Sequence, residues 1–198
     1  MRAYGIALRA PRCDAAGFPA STMIGRKMLS LGTLRGYCRT DYVVRAEDVL
    51  QTLRVARCHP EFDLWLEARG ERRWAYVTAE NPRSFRQSAE ENQLRQRDLR
   101  NRLDAENRRW RPAESVGWDG DWPPENGALV LGIEPAEAMS LGRDFEQFAV
   151  LVGELAGPAT LAFPFFDEAL PALRQALTSA DPSLHWTARH ALPPTGDA

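Results

Sequence analysis

The run Trp74-Ala-Tyr-Val-Thr-Ala, closed by Asn81-Pro82 and followed by Ser88 and Glu91, constrains the fold more than any other stretch. Its aromatic and β-branched residues read as a strand, with Gly70 marking the turn before it. Pro82 has no N–H for a ladder and biases Asn81 away from helix, so the strand ends there. Ser88 with Glu91 three positions later is a capping-box signature: the hydroxyl accepts from the Glu91 N–H and the carboxylate reaches back to the Ser88 N–H. A long helix is expected to follow, with Leu99, Leu103 and Trp110 at helical spacing. Projected backwards, that stripe puts Asn92 and Arg95 or Gln96 on the same face. The face is then apolar late and polar early, which predicts a polar corner between strand end and helix start.

Around this unit the pattern is mixed. Tyr42 and Val44 share one face of an early strand, and Val49–Ala56 reads as its partner across an Ala46-Glu47-Asp48 turn. Pro60–Ala68 reads as a short helix with Pro60 in its first turn. Trp110–Gly117, Gly127–Ile133, Phe148–Glu154 and Thr160–Phe163 read as strands. Pro135–Phe145 and Asp167–Ser179 read as helices. Neither βα alternation nor an all-β order results. The expected class is therefore α+β: a mixed, mostly antiparallel sheet of about five to seven strands flanked by helices, in a single domain. Residues 1–37, rich in glycine, read as an N-terminal extension with a short helix near Ile24–Leu31, and Met23 or Met28 is an alternative start. Residues 38–180 form the domain, and 181–198 a loosely ordered tail.

Composition excludes more than it selects. A net charge of -2 carries no global polyanion signature. Residues 1–111 hold 22 Lys+Arg against 14 Asp+Glu, and residues 112–198 hold 3 against 13, an asymmetry expected to reflect two halves packed together. Three cysteines (Cys13, Cys38, Cys58) without regular spacing argue against a disulfide framework and fit a reducing compartment. No apolar run has membrane-spanning length and no secretory signal is evident, so a cytoplasmic protein without a membrane partner is expected. Neither a Gly-x-x-x-x-Gly-Lys nor a Gly-x-Gly-x-x-Gly motif is present, which argues against common nucleotide cofactors. Cys58 and His59 are adjacent and would point apart on a strand, and His185 and His190 are poorly spaced on a helix. No metal site is expected, and no cofactor.

The strand and helix motif, read with Tyr42, His59-Pro60-Glu61-Phe62-Asp63, Trp122 and Glu125, Leu131-Gly132-Ile133 and Phe145-Glu146-Gln147, resembles a bacterial family catalogued only as domain of unknown function 3293. The likeness spans roughly residues 38–163. It implies no established activity, cofactor or partner. Members often carry Gly before the glutamine where this chain has Glu146, so that turn is expected to differ.

The candidate ligand-binding residues are Thr78, Asn81, Ser88, Asn92 and Arg95 at the corner, with Glu125 and Gln147 approaching from loops. A helix N-terminus suits an anion or polar ligand, and asparagine both donates and accepts, as recognition of a nucleobase or sugar requires. Glu125, behind two stiffening prolines, is the candidate acid/base, and Arg95 the candidate anion clamp. The plain competing account is that Asn81 turns the chain, Ser88 caps, Asn92 bonds loop backbone, and Gln147 satisfies a buried backbone group. The leading expectation is a domain binding a nucleotide-like or sugar-containing small molecule. The alternative is a nucleic-acid or protein interaction module on the Arg-rich segment 83–111, whose nine arginines outnumber five acids. Pairs such as Glu91/Arg95 and Asp98/Arg102 would account for part of that charge.

Overall fold

The computed structural model describes residues 21–24, 27–46 and 48–165. A hairpin of β1 (Ser21–Ile24) and β2 (Lys27–Ser30) leads into helix α1 (Leu31–Cys38). Seven further strands form one sheet: β3 (Thr40–Ala46), β4 (Val49–Leu53), β5 (Arg73–Thr78), β6 (Trp110–Gly117), β7 (Glu125–Leu131), β8 (Val150–Glu154) and β9 (Thr160–Ala162). Their spatial order is β4-β3-β6-β7-β5-β8-β9, and every neighbouring pair is antiparallel. Helices α2 (Pro60–Glu67), α3 (Ala89–Ala105) and α4 (Pro135–Asp144) complete the described fold. The class is α+β, as the residue pattern implied.

The alternation of β5 explains the layering. Trp74 and Tyr76 face one core, where α1 and α2 contribute Leu34, Cys38, Phe62 and Leu66. Ala75, Val77 and Ala79 face the other, against Leu99 and Leu103 of α3 and Ala138 and Leu141 of α4. Successive strand residues point to opposite faces, so a strand covered on both sides must be apolar throughout. Large rings occupy one face of β5 and small side chains the other. Glycines on neighbouring strands make room for those rings: a Cβ at Gly127 would lie 2.5 Å from the Tyr76 ring, and one at Gly153 would lie 2.4 Å from Trp74.

Several expectations change. The helix near Ile24–Leu31 is instead strand β2 followed by α1. Ser30 is extended and its hydroxyl accepts from the Thr33 N–H, so helix begins only after it. Leu29 and Leu34 are fully buried, and the expected boundary at 37/38 falls inside α1. Trp110 does not continue the α3 stripe. Asn107 adopts φ 52°, the Arg108 N–H bonds the Leu103 carbonyl at 2.9 Å, and the chain leaves the helix to start β6 at Trp110. The β4 strand ends at Leu53, short of Ala56, which has φ 61°. The expected Asp167–Ser179 helix, the tail from 181 with both of its histidines, and Cys13 lie outside the described residues. Cys38 and Cys58 are free thiols, and burial pushes the Cys38 thiol up to about 12. Among the described residues no helix is long and apolar enough to cross a membrane, and no group of three His, Cys, Asp or Glu side chains is placed to hold a metal ion.

Candidate functional site

The end of β5 feeds a strained turn. Asn81, Arg83 and Ser84 all have positive φ, at 47°, 56° and 58°. L-residues pay for that conformation, so it persists only where surrounding bonds enforce it. Those bonds are present. The Asn81 N–H donates to Asn92 Oδ1 at 2.9 Å, and Asn92 Nδ2 donates to Asn81 Oδ1 at 3.0 Å. Asn81 Oδ1 also accepts from the Gln87 N–H at 2.9 Å. The Arg83 N–H donates to the Glu146 carbonyl at 2.9 Å, and their side chains form an ion pair. Glu146 itself sits at φ 58°, a conformation glycine adopts without penalty.

Arg95 locks the same corner from α3. Its Nε donates to the Ala79 carbonyl at 2.7 Å and one terminal nitrogen to the Phe145 carbonyl at 2.8 Å. Ser88 and Glu91 form the capping box. Asn92, Arg95 and Ser88 therefore turn towards backbone, and none of the three lines the neighbouring cavity. Arg95 is in consequence not placed as an anion clamp.

The cavity lies on the other side of the turn, between α1, the aromatic face of the sheet and the 117–125 segment, with a volume of about 330 Å³. Thr78, Asn81, Glu125 and Gln147 all reach it. Glu125 opens β7, and its Oε1 accepts from Asn81 Nδ2 at 2.7 Å and Trp122 Nε1 at 2.8 Å. Burial pushes its carboxyl above the usual carboxylate range. The two donors offset part of that rise, and the Glu80 carboxylate adds to it. Gln147 Nε2 donates to the Glu80 carbonyl at 2.9 Å and more weakly to that of Phe145 at 3.3 Å. Thr78 donates to the Asn126 carbonyl at 2.6 Å and accepts from the Glu80 N–H.

Three phenols that the sequence did not single out as site residues complete the wall: Tyr37, Tyr42 and Tyr76. Burial raises all three, which keeps them protonated. Tyr42 and Tyr76 meet edge to face with centroids 5.0 Å apart. Tyr37 hydrogen-bonds Ser84 at 2.7 Å and so joins α1 to the strained turn. At the mouth, Arg39 holds Asp119 through two bonds of 3.0 and 2.7 Å, Trp118 donates to Asp41, and Arg86 bonds the Asp121 carbonyl while lying over Trp122. Local pattern carried no sign of this wall, because α1 read as extension and Tyr42 only as a strand residue.

The Arg-rich segment is largely spent on structure. Arg102 pairs with Glu106 and Asp144, not with Asp98; Arg108 pairs with Glu106 and Glu137; Arg111 pairs with Asp48. Arg109 pairs with the buried Glu71. Arg95 takes carbonyls instead of Glu91, which serves the cap.

Residues 77–150 match the family model described as "Protein of unknown function (DUF3293)". No curated protein and no solved structure matches the chain. The matched stretch runs from the end of β5 to the first residue of β8 and contains every candidate residue chosen from the sequence.

Proposed function

We propose that the DUF3293 segment of this chain, residues 77–150, joins with α1 to bind a nucleotide-like or sugar-containing small molecule in the cavity against Glu125. One observation carries the reading: a half-buried carboxylate is braced from behind by Asn81 and Trp122 while it borders a cavity walled by phenols. Binding sites are built in this way, with a contacting group whose rotamer is set by a second layer of bonds. The volume lies at the small end of ligand pockets and suits a nucleoside or monosaccharide. Backbone strain gathered beside the cavity at Asn81, Arg83 and Ser84 supports a functional corner. Arg35 and Arg39 line the cavity along with Asp119, Asp121 and Glu125, so its formal charge favours a neutral or cationic ligand over a phosphate. If the site performs chemistry, Glu125 is its acid or base, since a raised carboxyl holds or releases a proton closer to neutral pH.

A thermal-shift and calorimetric screen of nucleosides, nucleotides and monosaccharides tests this. A ligand at 100 times its Kd stabilises the native state by about 2.7 kcal/mol. The expected result is such a shift in the wild type, lost in Glu125→Gln. If no compound shifts the melting temperature at millimolar concentration, the reading fails. The interaction-module alternative rests on Arg97 and Arg100, which make no ion pair among the described residues. A salt-dependent shift of labelled RNA or DNA, abolished by reversing both charges, would support it instead.

A further inference from the structure

The wall of this cavity has an uneven supply of hydrogen-bonding groups. Several of its side-chain donors are already used within the protein. Thr78 gives its hydrogen to the Asn126 carbonyl, Tyr42 to the Tyr37 carbonyl at 3.2 Å, and Tyr76 to the Glu125 carbonyl at 3.2 Å. Asn81 gives its amide hydrogen to Glu125, and Gln147 gives its amide hydrogens to two carbonyls. The orientation of the Gln147 amide is set by chemistry: only nitrogen can face the oxygens of Glu80 and Phe145. Its Oε1 must then point away from them. At the mouth, Arg39 is committed to Asp119. One hydroxyl hydrogen of the Tyr37–Ser84 pair is left over, and Arg35 and Ser115 add further donors to the lining.

Acceptors, in contrast, remain. Both bonds to Glu125 fall on Oε1, which leaves Oε2 without one among the described residues. Gln147 Oε1 likewise has none, although the residue is only 7 % exposed. Neither atom is sealed in: the fully enclosed side-chain atoms that lack a hydrogen bond among the described residues are Gln96 Nε2 and Glu71 Oε1, and the latter is ion-paired with Arg109. Since Glu125 and Gln147 both line the cavity, these oxygens are reached from it. The two side chains are anchored to consecutive residues, Gln147 to the Glu80 carbonyl and Glu125 to the Asn81 amide. Around them stand aromatic rings, whose negative faces attract cations.

We infer that the ligand presents an amine or amidine nitrogen to Glu125 Oε2 and Gln147 Oε1. Resting on the small-molecule reading above, this narrows the ligand to an amino sugar or an amino-bearing nucleoside over its hydroxyl or oxo counterpart. An oxo group brings neither oxygen a hydrogen and a hydroxyl brings only one, so at least one acceptor is left unpaired, and sites built to bond a polar group reject analogues that lack the matching hydrogens.

Matched pairs decide it: glucosamine against glucose, cytidine against uridine, and adenosine against inosine, titrated calorimetrically into the full chain at neutral pH. In the pair that binds, the amino member is expected to bind at least about tenfold tighter, a difference of about 1.4 kcal/mol. Glu125→Gln keeps an oxygen for Asn81 and Trp122 but turns an N–H₂ into the cavity. It is expected to remove the preference or reverse it. Equal affinities within each pair overturn the inference and leave the site standing. Absence of binding by every probe overturns both. A preference unchanged in folded Glu125→Gln also overturns the inference, and if that variant fails to fold, the wild-type pairs decide alone.

Discussion

Asn92→Ala separates a residue that touches ligand from one that holds the site in place. Asn92 and Asn81 exchange two hydrogen bonds, of 2.9 and 3.0 Å, and the Asn81 backbone is held at φ 47° with the residue only 4 % exposed. Truncation leaves the Asn81 N–H without a partner, a cost of about 1–3 kcal/mol. Alanine at a helix position returns about 0.5 kcal/mol in propensity. Asn92 is half-buried, so water can reach part of the gap, and the net loss expected is about 1–2 kcal/mol. For a chain of this length that lowers the melting temperature by roughly 2–8 °C. Calorimetry and urea denaturation read it, with Gln93→Ala, an exposed neighbour on α3, as the control. A stability within about 0.5 kcal/mol of the control refutes the argument that this pair holds the turn. Unchanged melting with lost ligand binding would place Asn92 in the site, not behind it.

Three further outcomes follow from the same geometry. Because burial raises the Glu125 carboxyl, the native state holds its proton more tightly than the unfolded chain does. Stability relative to Glu125→Gln is therefore fully present below the ordinary carboxylate range and is lost as pH rises through the raised value, whereas an equal difference at every pH would contradict the burial. Gly127→Ala drives a methyl to 2.5 Å from the enclosed Tyr76 ring and should cost about 1–3 kcal/mol in urea denaturation; a neutral result would mean the ring has room to move. Among the described residues the Glu146 side chain, at φ 58°, pairs only with the half-exposed Arg83, so Glu146→Gly should exceed Glu146→Ala in stability by about 1 kcal/mol, and the opposite order would refute the left-handed turn.

The family model matches residues 77–150 of the stretch 38–163 over which the resemblance was read, and Glu146 lies within the match. A glycine would enter the left-handed conformation freely, whereas here a glutamate enters it with an ion pair to Arg83. The polar first turns of α3 were legible too, but their purpose was not. Asn92, Arg95 and Gln96 satisfy the backbone of residues 79–81 and 145, and do not present themselves to a ligand. From one chain, a polar side chain on a core-facing stripe looks the same whether it bonds a carbonyl or a substrate.

Short-range pattern alone determined β5, the stop at Asn81-Pro82, the capping box and the α+β class, because strand alternation, proline sterics and cap bonds act over a few residues. Tertiary structure decided where the cavity is. Tyr37 meets Ser84 across 47 positions and Asn81 meets Glu125 across 44, and no local period records contacts of that span. The side of the turn that opens depends on α1 packing over the aromatic face of β5 while α3 closes the other.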